Sequence, residues 1–493
     1  MAHLSAGTRI ATSLKTVRSW CLSEWEHPRL AALGLTALVI AVVGVVLFPG
    51  VYTPDAMLMV GQAEGSEIRT NWHPPLLVAV WGLGLSLTGS AVSLWLVQVL
   101  LFGVGLYLLL RTMRTRMAFI LAGVFVLGFA PMILLLTPLW KDSQLAIVFL
   151  IALVMSARPA GRWLMRVVLA FLAIALITIR FNSFPLAILP IWTVVESLRT
   201  DETSPTWIRR FASHSLLCSV VGTLLLAALV NQVGSLTVER TLAPQNTVQA
   251  WDLVGIEVRG GDVDLDARAL RTQPCDLQEL RNAYTPATSD FLVFPADSCI
   301  DLVLPVEYDD QSEDANLNNR IPLRTWLAGI AHNPAQYLRH RVAVAGSFLG
   351  LSTNVTRTAS LSYALTADSI VGVQSLSTQK VLLDYLEGAS RKMPILFMPL
   401  TWLAITTVAV VYLGRRNPSR VLWVSYTVVV ANLLLAIVAS PASDLRYSFP
   451  LLASILFFGS HSVDTACRRL SNTINMSPAR SGTAEGGTQD NSR

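Results

Sequence analysis

Ten apolar stretches, with a knot of arginines at every second break between them, constrain this chain more than any other feature. They fall at 31–49, 91–110, 117–136, 144–157, 165–179, 184–198, 211–231, 394–413, 421–440 and 450–464. A helix of about 20 apolar residues crosses a bilayer core, and the longer stretches reach that length. Charged residues make up only 14% of the chain, against about 25% in soluble globular proteins. Barrel strands would instead alternate apolar and polar residues over about 10 positions, which excludes a β-barrel. The pattern predicts an all-α polytopic membrane protein with about 10 transmembrane helices.

The arginine knots set the orientation. They are Arg111/Arg114/Arg116, Arg158/Arg162/Arg166, Arg199/Arg209/Arg210, Arg415/Arg416/Arg420 and Arg468/Arg469. With the N-terminal segment inside, every knot falls on the cytoplasmic side, as the bias of Lys and Arg toward inner loops requires. The net charge of +5 therefore reflects membrane flanks and gives no reason to expect nucleic acid. The layout holds only if "NWHPPLLVAVWGLGLSLTGS", Asn71 to Ser90, does not cross. Pro74 and Pro75 suit a helix start, where a missing N–H is harmless. The roughly 14 apolar residues that follow are short for a span. A helix lying at the outer interface is expected, in preference to a tight hairpin of two short spans.

Five sections result: a cytoplasmic segment 1–30, a membrane module 31–231 with a first outer loop at 50–90, an extracytoplasmic domain 232–392, C-terminal transmembrane helices 393–466, and a disordered cytoplasmic tail 467–493. The first 28 residues are polar and basic, with no cleavable signal peptide expected. Between Trp251 and Asn319 stand fifteen Asp and Glu against four Arg, which marks a folded α/β or irregular domain. Its acidic run "VEYDDQSEDANLNNR" could bind a divalent ion or be solvated. Cys275 and Cys299 lie in this domain and could form a disulfide if it is extracytoplasmic; the alternative is two free thiols. Asn333 to Leu351 reads as a further interfacial helix, because basic residues fall within its first turns.

Polar residues at the outer helix ends are the candidates for function, since ionisable groups are expensive there. Asp55 lies just past the first span, on the helical face of Gln62; its alternative role is an N-cap. Lys141 and Asp142 share a turn between two apolar runs, where they form a solvated pair or a phosphate-holding cation with its orienting partner. Arg180 and Asn182 sit in another outer turn, and Asp444, Arg446 and Tyr447 in the last. His73 opens the interfacial helix. Guanidinium binds phosphate oxygens in a fork. Any one of Lys141, Arg180 and Arg446 alone is a snorkelling anchor; together with an acid on the same side they suggest a pocket for an anionic headgroup arriving from the lipid. No zinc-ligand spacing, phosphate-cradling glycine loop or hydrolase motif occurs.

An early outer-loop Asp, a helix opening His-Pro-Pro-Leu, a Trp-Lys-Asp turn and a late Asp-Leu-Arg-Tyr-Ser-Phe-Pro turn together resemble the integral membrane glycosyltransferases of the GT-C fold. That group includes protein O-mannosyltransferases and bacterial aminoarabinose and cell-envelope sugar transferases. The resemblance implies a polyprenyl-phosphate sugar donor, a hydroxyl-bearing acceptor and an inverting transfer at the outer face of a bacterial plasma (inner) membrane. It implies Asp55 as general base and Arg446 as a contact to the donor phosphate. His73 would line the donor side, with Lys141, Asp142, Arg180, Asn182 and Tyr447 around the phosphate. Many members carry an acidic pair in the first loop; Pro54-Asp55-Ala56 offers one acid, so no metal ligand set is assigned and a divalent cation stays open as cofactor. The competing classes are a lipid-linked glycan polymerase or ligase, a transporter or flippase of lipid-linked sugars, and a non-catalytic scaffold. A flippase would place polar residues near mid-membrane on broken helices, whereas here they cluster at helix ends.

Overall fold

The computed structural model describes residues 23–158, 163–242, 244–263, 277–289, 321–352 and 377–475. Each of the ten apolar stretches is helical over most of its length. The first six occupy α1 (Pro28–Leu47), α4 (Val92–Leu110), α5 and α6 (Arg116–Gly128, Ala130–Leu136), α7 (Lys141–Ser156), α8 (Trp163–Ile179) and α9 (Phe184–Thr200). Between α1 and α4 lie α2 (Pro54–Glu64) and α3 (Pro75–Thr88). The remaining stretches form α10 (Ser215–Ser235), α15 (Pro399–Arg416), α16 (Arg420–Ala439) and α17 (Phe449–Ser454), which continues through a π-helical turn into α18 (Ser460–Asn475). No strand occurs among the described residues, beyond isolated bridges.

Five helices are long and apolar enough to cross a membrane, and a sixth span results if α5 and α6, bent by 68°, are counted as one. Their outward faces stay apolar: Val45, Phe171 and Leu225 are each more than two-thirds exposed. Such a surface suits lipid, and the described residues form an all-α arrangement consistent with a membrane protein. The α5–α6 bend follows from Pro131, whose ring cannot continue the preceding turn. α7 is buried on every side, among α4, α8, α9 and α17. A helix apolar all round belongs in the middle of a bundle, so both ends of α7 are held by its neighbours.

Backbone contacts sort the helix ends into two levels. At the first, Trp25 N donates to Arg114 O at 3.1 Å and Arg116 N to Ser23 O at 3.2 Å. Asp464 of α18 accepts there from the backbone N–H of Arg114 and Thr115. Arg158 reaches Leu108 O, and Arg166 pairs with Asp201 at 2.5 Å. This is the basic end. At the second level, Val51 N donates to Thr137 O and Leu139 N to Val51 O. Trp95 and Gln98, in the first turns of α4, donate to Leu136 O and Pro138 O.

α3 has both of its ends at this second level. His73, just before it, touches Lys141 at the start of α7, and Gly84 near its far end lies against Leu94 at the start of α4. A helix whose two ends meet one end of the bundle does not traverse it. The Asn71–Ser90 segment thus lies across the helix ends, as its length and its prolines predict.

The described part of 232–392 is helical, where the acidic composition suggests an α/β or irregular domain. It comprises α11 (Gln245–Glu257), a short helix at Leu277–Ala283, α12 (Leu323–His332), α13 (Pro334–Phe348) and α14 (Ser377–Lys392). α11 to α13 enclose their own apolar core, with Trp251, Val254, Ile256, Leu280 and Val344 at its centre. The helix expected from Asn333 is α13, but its His340 and Arg341, read in the sequence as headgroup-facing, are buried within this domain. Cys275, Cys299, the acidic run 306–320 and the tail beyond 475 lie outside the described residues.

Candidate functional site

Helix starts build the site. Thr53 caps α2 by accepting from Ala56 N at 3.4 Å, and Pro54 follows it with φ already helical. The cap role proposed for Asp55 therefore belongs to Thr53, and the Asp55 carboxylate points elsewhere. Trp140 Nε1 donates to the same Thr53 hydroxyl at 2.7 Å, tying α2 to the residue before α7. Asp444 caps the turn Leu445–Ser448 by accepting from Arg446 N at 3.2 Å. Pro185 and Pro450 stand in the first turns of α9 and α17. α2, α7, α9 and α17 thus present their N-termini at one level, where unpaired N–H groups and the helix dipole favour negative charge.

The side chains meet there. Arg446 Nη1 lies 2.6 Å from Asp55 Oδ2, and its Nε is 2.7 Å from Asp444 Oδ2 and 3.9 Å from Asp142 Oδ2. Arg180 pairs with Asp142 through Nη1 and bonds Asn182 Oδ1 through Nε at 2.7 Å. Its guanidinium carbon stands 4.0 Å from the Tyr447 ring centre, and that of Arg446 lies 5.5 Å from the Trp140 ring. Lys141 Nζ is 2.9 Å from His73 Nδ1. Of the residues singled out in the sequence, Asp55, Asp142, Arg180, Asn182, Asp444, Arg446 and Tyr447 join one network of contacts, and Lys141 and His73 form a pair of their own, close enough for the Lys141 charge to act on Asp55. The Lys141–Asp142 pair does not form: the two adjacent side chains turn to different partners.

Burial is graded across the cluster. Asp142 is 1% exposed and Asp55 36%, so the network opens through Asp55. Burial alone would raise the Asp55 pKa. The charges of Arg446 and Lys141, with the Arg446 hydrogen bond, outweigh it and hold the carboxyl well below the ordinary carboxylate range. Burial, followed by the charge of Lys141, holds the His73 imidazole well below its ordinary value. Lys141 Nζ and His73 Nδ1 share one hydrogen bond, whose direction depends on the imidazole tautomer, and His73 Nε2 is buried with no partner among the described residues.

Asp55, Asp142 and Asp444 each face a guanidinium, and no group of three or more His, Cys, Asp or Glu among the described residues converges as a metal site would. The donors present do not fit a divalent cation. Sequence reasoning passed over two parts of the cluster, the Thr53 cap and the Trp140 bridge, and it placed Asp444 in the last turn without assigning its contact to Arg446. Thr-Pro before an apolar helix is a legible cap, and Trp140 adjoins Lys141.

The domain of α11 to α13 braces the last turn of the site. Ser443 N donates to Ala287 O at 2.6 Å and Ser289 N to Pro441 O at 3.0 Å, and the Ser443 hydroxyl reaches Pro286 O and Val344 O. On the far side of that brace lies a second polar network. Asp252 of α11 accepts from Arg341 Nη2 at 2.7 Å and Trp326 Nε1 at 3.0 Å, with His340 Nε2 3.1 Å away. Tyr284 Oη lies 2.7 Å from His340 Nδ1 and accepts from Arg259 at 2.8 Å. The sequence contains no sign of this network, whose members lie up to 89 residues apart. Compared with protein-family models, curated proteins and solved structures, the chain matches none.

Proposed function

We propose that this chain is a GT-C-like membrane glycosyltransferase that moves a sugar from a polyprenyl phosphate to a hydroxyl acceptor. In this reading it has about ten spans, its basic end faces the cytoplasm and its site end faces outward. The observation that carries the reading is the convergence of one part-exposed carboxylate, Asp55, with Arg446, Arg180 and Lys141 at a level where four helix N-termini gather. A donor of this kind keeps its tail in lipid and brings an anionic head to the helix ends, where such a cluster is reachable.

The chemistry follows from the charges. The acceptor hydroxyl gives its proton to Asp55 while its oxygen bonds to the anomeric carbon. The bond from that carbon to the phosphate oxygen breaks, the electron pair leaves with the phosphate, and configuration inverts. Asp55 gains one proton as the phosphate gains one negative charge, so the total charge of the site is unchanged. Arg446, Arg180 and Lys141 stabilise the leaving dianion, a contribution on the order of several kcal/mol in a site screened from water.

The test is to incubate the purified protein, reconstituted in sealed lipid vesicles, with radiolabelled polyprenyl-phosphate sugars of several kinds and hydroxyl acceptors. Movement of label to acceptor, lost in Arg446→Ala, supports the reading. Label that crosses vesicles unchanged and is never released from lipid supports the flippase alternative, which the bend between α5 and α6 favours. Cysteine accessibility at positions 86 and 114 checks the orientation, since Ser86 lies on α3 and Arg114 at the basic end.

A further inference from the structure

The resting cluster carries no surplus of positive charge. Three basic side chains, Arg446, Arg180 and Lys141, stand against three carboxylates, Asp55, Asp142 and Asp444. A phosphate arriving here meets guanidinium groups whose charge is already answered. To be held it must take the place of a carboxylate.

The three carboxylates are not equally replaceable. Asp142 is buried and locked to Arg180 at the start of α7. Asp444 is fixed twice, through Arg446 Nε and as the cap that accepts from Arg446 N, so it travels with the arginine. Asp55 is the most exposed of the three, and it reaches Arg446 from a separate helix through Oδ2 at 2.6 Å. Its helix is secured independently, by the Thr53 cap and the Trp140 bond, so the carboxylate can leave Arg446 without α2 coming loose.

We infer that Asp55 is an internal competitor for the anion site: in the resting protein it occupies the Arg446 guanidinium that a phosphate monoester or diester must use, and the phosphate displaces it. The displaced carboxylate, no longer clamped by Arg446, is then free to accept a proton. This deepens the sugar-transfer reading and rests on it for the identity of the acceptor. It makes the order of binding donor first, acceptor second, and it keeps the base inactive while the donor is absent.

The test measures binding of farnesyl phosphate, and separately of inorganic phosphate, to the full-length protein in detergent. Wild type, Asp55→Asn, Asp55→Ser and the double variant Asp55→Asn/Arg446→Ala are compared, each checked for a single folded peak. An exposed ion pair is worth up to about 1 kcal/mol, so removing the competitor should tighten farnesyl phosphate binding by about fivefold in both single variants. The double variant should lose that gain. A matching gain for inorganic phosphate assigns the site to the phosphate group alone; a gain confined to farnesyl phosphate assigns it to a lipid-borne phosphate, and either result supports the competition. Equal or weaker binding by both folded single variants overturns it. A parallel transfer assay separates the two claims. Variants that transfer no sugar yet bind no tighter sink the competition and leave the base role standing, whereas tight-binding variants that still transfer sugar sink the base role alone. No farnesyl phosphate binding in any form overturns both.

Discussion

Two ionic networks in this protein use nearly the same parts and differ in what surrounds them. The cluster at the helix ends joins carboxylates to Arg446, Arg180 and the Tyr447 ring, with the Lys141–His73 pair beside it. The network in the domain of α11 to α13 joins Asp252 to Arg341, His340 and Trp326, and His340 to Tyr284. The first draws on separate turns of the bundle and opens to the outside through a carboxylate that is 36% exposed. The second lies inside one small core, with Asp252 and His340 both at 0% exposure. A charged network that ends at an exposed carboxylate can exchange a partner for a ligand. One that is closed on all sides can only hold its own domain together, and here it stands behind the Ser443 brace that positions the last site turn.

That contrast breaks most sharply under loss of charge. Asp55→Asn should lower sugar transfer by roughly 10²–10⁴-fold, the range of a lost general base, while the melting temperature stays near wild type. Transfer at the normal rate would remove the base assignment. Asp252→Ala should do the reverse, destabilising the fold by about 3–5 kcal/mol because it strands a buried cation. Denaturant or heat unfolding followed by Trp fluorescence measures this, and an unchanged midpoint would mean that the network is not structural.

Acid separates the two networks next. Burial holds the His340 pKa below its ordinary value, against the opposing pull of Asp252 and with the help of Arg341 and Arg259. The folded state therefore binds fewer protons than the unfolded state over that interval. The stability from His340 is whole above about pH 6.5, the ordinary histidine value, and is lost as pH falls toward the depressed folded value. Protease resistance of the domain of α11 to α13 should drop between pH 7.5 and pH 5. His340→Gln should flatten that drop, and an equally steep profile in the variant would assign it elsewhere. The smallest effect is expected at the brace. Ser443→Ala removes one hydroxyl shared by two carbonyls and should cost about 1 kcal/mol or less. It should appear as a modest rise in the donor concentration needed for half-maximal rate, with kcat little changed. A change confined to kcat would mean that the brace acts on the chemical step and not on donor binding.

Much of the candidate site was legible in advance, because membrane topology carries information that soluble sequences lack. Once the arginine knots put Lys141, Arg180, Arg446 and Asp55 at one end of the helices, the area left for them to occupy was small. The partners within that area were not legible. Lys141 and Asp142 adjoin in sequence, yet successive residues on a helix point about 100° apart, and each found its counter-group on another element. The Asp252 network escaped altogether. Its members are ordinary charged residues of an acidic section, and nothing local distinguishes a buried aspartate from a solvated one.

By itself, the sequence determined where the apolar helices are, how their ends divide into a basic and a polar level, and that Asn71–Ser90 lies across the ends instead of crossing, but not that the acidic section is helical. These follow from apolar length, proline position and charge placement, which act over a few residues at a time. Only the tertiary structure decided that Asp55 rests on Arg446, that Asp142 holds Arg180, and that Ser443 ties the last turn to the domain of α11 to α13. Those choices depend on which side chains are brought within about 3 Å by packing between elements far apart in the chain, and pairing at that range is set by the packed geometry and not by any local pattern.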